Sequence, residues 1–194
     1  MWTVSAALIL TGAPGSGKFS VLEALSALLE VDELAFGALE SEQLAWGWPW
    51  LRPSEWLPQL AAVISLQRAA GRRLFVVAAT TETQVELHGV INALAVDRVI
   101  VVCLQAGPDV AVRRIADREP DAWPGKGPLI AHARELANSM PSIAGIDAVI
   151  GTDGRSPVEV AADVLRIHGV LAARCRSDHH PNSLRLDRCD VEQS

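Results

Sequence analysis

The chain has 194 residues, 49% of them hydrophobic, and carries a formal net charge of −6 at pH 7. That length suits one domain with a sizeable core, and the acidic balance argues against a general nucleic-acid binder. No apolar run approaches the ~20 residues a membrane helix needs. Nor do the three cysteines, Cys103, Cys175 and Cys189, form a disulfide framework.

Short apolar runs alternate with helical stretches along the chain. Ala6 to Leu10 reads as a strand buried on both faces, and no Lys or Arg precedes it as a signal peptide would require. A glycine-rich loop follows, then a helix from Lys18 to about Glu30. A second strand is expected over Leu34 to Leu39, followed by the Trp-rich connection Trp46-Gly47-Trp48-Pro49-Trp50. Ser54 to about Ala70 has a helical pattern, with Pro58 tolerable only in the first turn and Gly71 as the stop. Leu74 to Ala79 is the third strand, Glu82 to Ala95 a helix, and Val99 to Leu104 the fourth strand. Asp109 is expected to cap a helix that ends near Glu119. Pro120 to Pro128, punctuated by Pro and Gly, is expected to be irregular. A helix over Leu129 to Met140, a fifth strand over Asp147 to Ile150 and a helix from Pro157 to about Ala172 complete the pattern. Five β-α repeats predict a parallel sheet with helices on both faces. Residues 173–194 are polar and aperiodic, which predicts a disordered tail. Cys175, His179, His180 and Cys189 fall there, without a recognisable zinc spacing.

Gly12-Ala13-Pro14-Gly15-Ser16-Gly17-Lys18 fits G-x-x-x-x-G-K between a buried strand and a helix, the context a phosphate-binding loop requires. Its glycines let backbone N–H groups turn inward as an anion nest, and the helix N-terminus adds its positive dipole end. Lys18 supplies the point charge for the β- and γ-phosphates. The next residue is normally Ser or Thr, whose hydroxyl is a ligand of the phosphate-bridging Mg²⁺. Here it is Phe19. Ser20 lies one helical step, about 100°, further round and does not obviously replace the missing hydroxyl. A natural loss of activity and a substitution in this particular sequence both fit.

On this loop and on two further segments the chain resembles the adenylate-kinase-like branch of P-loop kinases, which includes shikimate, gluconate and adenylylsulfate kinases and chloramphenicol phosphotransferase. Leu34-Ala35-Phe36-Gly37 is similar to the second strand of the chloramphenicol enzymes. Thr152-Asp153-Gly154 with Ser156-Pro157 is similar to the segment that lies along the adenine ring. The resemblance covers roughly residues 5 to 170 and implies a three-layer P-loop NTPase fold with a five-stranded parallel sheet, one domain over 1–172 with a small lid at about 119–128. It implies ATP and Mg²⁺ as cofactors and phosphoryl transfer to a small-molecule acceptor in the cytoplasm, by a monomer or homodimer that binds neither nucleic acid nor membrane.

The resemblance also implies roles for particular residues. Thr152 and Asp153 join residues 12–20 in holding the nucleotide. An acidic residue at the end of the second strand orients or deprotonates the acceptor hydroxyl. Glu40 and Glu42 are the candidates, projecting the same way if the strand continues. Glu40 also faces the metal side, and Asp32 and Glu33 are alternatives. Lid arginines clamp the transferring phosphate, and Arg114 and Arg118, four apart, share a helix face; Lys126 lies within the lid. His132 and Arg134 open the next helix and read as structural residues before substrate contacts. Six Trp and no Tyr is unusual. Trp46, Trp48 and Trp50 either wall the acceptor site or cover the sheet as core. No Asp directly follows the third strand, which fits kinases better than motor-type ATPases, and no N-K-x-D segment marks a GTPase. The kinase reading has one rival, a catalytically weak nucleotide-binding pseudo-kinase that acts through a partner.

Overall fold

A computed structural model of the chain describes residues 5–177. Its elements in order are β1 (Ala6–Thr11), α1 (Lys18–Val31), β2 (Phe36–Glu40), α2 (Glu42–Ala45), α3 (Pro53–Ala69), β3 (Leu74–Ala78), α4 (Gln84–Leu94), β4 (Arg98–Gln105), α5 (Pro108–Arg118), α6 (Lys126–Ser139), a 3₁₀ turn (Met140–Ser142), β5 (Ala148–Gly151) and α7 (Pro157–Ser177). All five strands are parallel, in the order β2-β3-β1-β4-β5.

Strand alternation sorts the core into layers. Leu8 and Leu10 on β1, with Val76, Val102 and Leu104 beside them, meet Val21, Leu25 and Leu29 of α1 and Val160 and Val164 of α7. The intervening Ala7 and Ile9, with Phe75 and Val77, meet Leu60 and Ile64 of α3 and Leu87, Val90 and Leu94 of α4. A period of two on the strands and about 3.6 on the helices therefore builds a three-layer sandwich. Each large side chain buried this way contributes roughly 1.5–3 kcal/mol. A third cluster packs Leu136, Ala137 and Met140 against Ala13 and Cys103, so α6 leans on the glycine-rich loop itself.

β1 sends its connection to β2 on one side of the sheet, and β4 sends its own to β5 on the other. The carboxyl end of β1 therefore opens into the crevice where such sheets bind ligands.

Several expectations change. Pro58 lies in the second turn of α3, which begins at Pro53. Asp109 does not cap α5: Gly107 holds that position, with Pro108 at the first helical residue and Asp109 in the first turn. Regular structure resumes inside the Pro/Gly segment, because α6 starts at Lys126. Pro128 is tolerated there since the first-turn N–H groups of a helix have no internal partner. Helix α7 continues to Ser177, and residues 178–194, which hold most of the proposed tail and of its Cys/His set, lie outside the described residues.

Candidate functional site

Between β1 and α1 the backbone is forced into a tight cradle. Gly12 has φ +144°, and a Cβ there would stand 2.3 Å from the Leu104 carbonyl oxygen. Gly15 has φ +80°, and a Cβ would stand 2.5 Å from the Ala111 carbonyl oxygen. The loop is thus wedged between β4 and α5, and only glycine fits both contacts. Gly17, also left-handed at φ +94°, precedes α1 as its N-cap with no side-chain cap. The N–H groups of Lys18, Phe19 and Ser20 in the first turn consequently have no partner within the helix. Ser16 Oγ is buried without a hydrogen-bond partner. A cradle of free N–H groups with an orphaned hydroxyl at its base fits the phosphates of a nucleotide.

Lys18 is 8% exposed. Its ammonium donates to the Gly12 carbonyl at 2.8 Å and the Ala13 carbonyl at 3.4 Å, folding back over the loop. Burial pushes its pKa below the ordinary lysine value; Glu42 and then Glu40 pull it back up, and Arg118 adds to the fall. Lys18 therefore feels Glu42, Glu40 and Arg118, three charged side chains that the sequence singles out.

The strand does not continue through Glu40 and Glu42 as expected. β2 ends at Glu40, opposite Ala78 of β3, and Ser41 starts the one-turn helix α2 with Glu42 as its first residue. The turn separates the two roles. Glu42 Oε1 accepts a 2.8 Å hydrogen bond from the Thr80 N–H, which fixes it at the end of β3. Glu40 receives only a 3.4 Å contact from Gln43 Nε2 and lines an open groove along α1. Behind them the Thr11 and Thr81 hydroxyls meet at 2.9 Å, and the Thr81 N–H donates to Thr11 Oγ1, joining the ends of β1 and β3.

Arg114 and Arg118 diverge. The Arg114 guanidinium donates to the Gly15 carbonyl at 3.1 Å, to Thr152 Oγ1 at 3.0 Å and to the Thr152 carbonyl at 2.9 Å. It clamps the glycine-rich loop to the β5–α7 turn. Arg118, exposed, pairs with Glu119 at 2.7 Å. Lys126 is held as well, donating to the carbonyls of Ala116 and Glu119 and to Asp121 Oδ1 at 2.7–2.8 Å, so it closes the C-terminal end of α5. Thr152 is buried, and its N–H donates to the Gln105 carbonyl. Asp153 accepts from the Gly107 N–H at 3.0 and 3.2 Å, which caps α5 from the far side of the site. Sequence reasoning missed this cap and the Arg114 clamp; a Gly-Pro-Asp helix start whose cap residue has no side chain was the available signal.

Phe19 is 51% exposed. Its ring turns outward at the first turn of α1, and Ser20 is exposed beside it. The tryptophans are not core: Trp46, Trp48 and Trp50 are 71%, 98% and 56% exposed, which removes the sheet-covering alternative. Among the described tryptophans only Trp56 packs against the α3–α4 layer. His132 Nε2 lies 2.7 Å from Glu82 Oε1, and Arg134 pairs with Asp109 at 3.3 Å, so both residues tie α6 to its neighbours. Asp32 and Glu33 fall in the turn after α1, exposed.

The residues around the glycine-rich loop offer a metal only part of what it needs. Residue 19 supplies no oxygen, and no group of three or more His, Cys, Asp or Glu side chains suited to a metal occurs among the described residues. Glu40 and Glu42 are the carboxylates there that could serve as oxygen donors to a metal ion.

No protein-family model matches the chain, and no curated protein matches it in sequence. Solved structures do match. A gluconokinase from Sinorhizobium meliloti 1021 superposes with a TM-score of 0.64 at 20% identity, over 91% of this chain and 99% of that one. The APS kinase of Mycobacterium tuberculosis, in complex with AMPPNP and APS, gives 0.61 at 19% identity, over 86% and 98%. Shikimate kinase from Acinetobacter baumannii, in complex with shikimate, gives 0.57 at 16% identity, over 89% and 96%. At these identities the likeness establishes the fold, the α/β fold of P-loop small-molecule kinases. Among the described residues no helix is long and apolar enough to cross a membrane.

Proposed function

We propose that this chain binds ATP at residues 12–20 and transfers its γ-phosphoryl group to a hydroxyl of a small molecule. The observation that carries the reading is the Lys18 ammonium, buried in a cradle of unpaired N–H groups within electrostatic reach of Glu42, Glu40 and Arg118. The acceptor oxygen bonds to the γ-phosphorus while the bond to the β–γ bridging oxygen breaks, and ADP leaves with that electron pair. Glu40 faces the open groove and takes the hydroxyl proton; Glu42, fixed by the Thr80 N–H, keeps a negative charge beside Lys18. Lys18 and Arg118 offset charge that spreads over the phosphoryl oxygens, and Arg114 acts indirectly, holding the loop against Thr152. The adenine ring rests along the Thr152–Asp153 turn, and Trp46, Trp48 and Trp50 stand on the acceptor side. Glu40 and Glu42 are the carboxylates that would hold a Mg²⁺ bound with the nucleotide, and the ion would supply neutralisation of phosphate charge there.

A second reading, a nucleotide-binding module with little turnover, is favoured by one observation: Phe19 stands where the metal's hydroxyl ligand belongs. Phe19→Ser tests the choice, because it restores the ligand without touching the cradle. Recovery of about 1.4 kcal/mol of barrier would raise Mg²⁺-dependent turnover tenfold. ATP binding without metal should stay within about twofold, since the cradle N–H groups and Lys18 remain. If the Ser variant turns over no faster with a panel of hydroxyl acceptors, the module is the better account.

A further inference from the structure

The outward turn of Phe19 places its ring at the end of a groove along α1. The groove, of about 610 Å³, runs between α1 and the edge strand β2, from Phe19 at the glycine-rich loop to Glu30 three helical turns away. Its volume lies in the range of about 300–1,000 Å³ typical of small-molecule sites. Phe19, Leu22 and Leu39 give it apolar walls, and three carboxylates, Glu23, Glu30 and Glu40, line it with no Lys, Arg or His among the lining residues. The charges of Glu23 and Glu30 are not spent within the protein. Among the described residues the side chains of Glu23 and Glu30 make no hydrogen bond or ion pair, and Glu40 has a weak Gln43 contact and the longer-range attraction of Lys18. Glu23 and Glu30 are seven apart, so they stand on one helix face. An apolar trough lined by unpaired carboxylates complements a ligand with a hydrocarbon body and a positive charge.

We infer that this groove is the acceptor site and that it takes an amine-bearing amphiphile, its ammonium toward Glu23 and Glu30 and its hydroxyl toward Glu40. The inference rests on the phosphotransferase reading for the acceptor role, but the charge preference stands apart from it. Phe19 then has a purpose of its own: it trades a metal ligand for the apolar end wall of the groove, next to the transferring phosphate. Neutral and anionic hydroxyl compounds are disfavoured, because they leave Glu23 and Glu30 unpaired or add repulsion.

The test uses three probes of equal chain length, aminooctanol, octanediol and hydroxyoctanoate, titrated into the full chain without nucleotide and followed by amide NMR shifts. Aminooctanol should bind about tenfold more tightly than octanediol, and hydroxyoctanoate should bind least. Shifts should centre on α1 from Phe19 to Glu30 and on Ala38 to Glu40, and the preference should shrink as salt rises. The double variant Glu23→Gln/Glu30→Gln should fold with an unchanged melt and lose most of the preference. Equal binding of the three probes, shifts centred elsewhere, or a preference that survives the double variant would overturn the groove assignment whatever the enzyme does. Selective binding with no ATP-dependent phosphate transfer to aminooctanol would leave the groove's charge preference standing and overturn its acceptor role, while transfer to another hydroxyl compound in the same assay would leave the phosphotransferase reading intact.

Discussion

Arg114 joins three parts of the site, and its removal has a calculable consequence. Arg114→Ala deletes three hydrogen bonds from a charged donor, at 2.9–3.1 Å, to the Gly15 carbonyl, the Thr152 hydroxyl and the Thr152 carbonyl. A net worth of about 1 kcal/mol each is ordinary, and partial exposure lets water reach the vacated acceptors, so the loss should be about 2–3 kcal/mol. For a domain of this size that is a fall in Tm of roughly 4–12 °C. Arg114→Lys should recover little, because one ammonium cannot reproduce a planar fork. Thr152→Val should couple to Arg114→Ala by about 0.5 kcal/mol or more in a double-mutant cycle, since the two share one bond. Thermal denaturation followed by circular dichroism supplies the stabilities, and titration with ATP should show weakened binding as the loop loses its anchor. A Tm change under ~1 °C, or strictly additive variants, would refute the idea that Arg114 anchors the loop.

Lys18 ties stability to pH. Its folded pKa is lowered below the free value of 10.5 by burial, so the unfolded chain holds more protons in the window below 10.5. Stability contributed by this group therefore rises with pH through that window, and the wild type should gain on Lys18→Met in urea melts as pH climbs toward 10.5. Cys103 is buried under α6 and its thiol is pushed up to about 11, mainly by burial. Peptide-level mapping at pH 8 should find Cys103 resistant to alkylation in the native protein and labelled once the chain unfolds. The turn between α5 and α6, held by Trp123 N–H to the Pro120 carbonyl and Lys126 N–H to the Trp123 carbonyl, should exchange amide hydrogens more slowly with ATP bound; equal protection in both states would remove it as a lid.

The strands were legible because runs such as Leu74 to Ala79 and Val99 to Leu104 are apolar on both faces and bounded by polar residues. The glycine-rich cradle between β1 and α1 was legible because Gly12, Gly15, Gly17 and Lys18 keep a fixed spacing. Strand order was not, since nothing local says that β1 lies between β3 and β4. The four residues of α2 were too few for a helical period, so Glu40 and Glu42 were read along a strand that the structure ends between them. Arg114 read as a phosphate clamp because its acceptors, Gly15 and Thr152, are 99 and 38 residues away. The tryptophans offered two readings in sequence, and only burial excluded the core, since an apolar residue carries no mark of which way it faces.

The central claim is that residues 12–18 hold the phosphates of ATP, and it is tested most directly by calorimetric titration of metal-free ATP into the wild type and Lys18→Ala. The account predicts saturable one-site binding to the wild type. Loss of the ammonium removes charge-assisted contacts worth about 1.5–3 kcal/mol, so Lys18→Ala should bind at least tenfold more weakly with its fold intact. Equal affinities for the two proteins, or no heat with either, would contradict it.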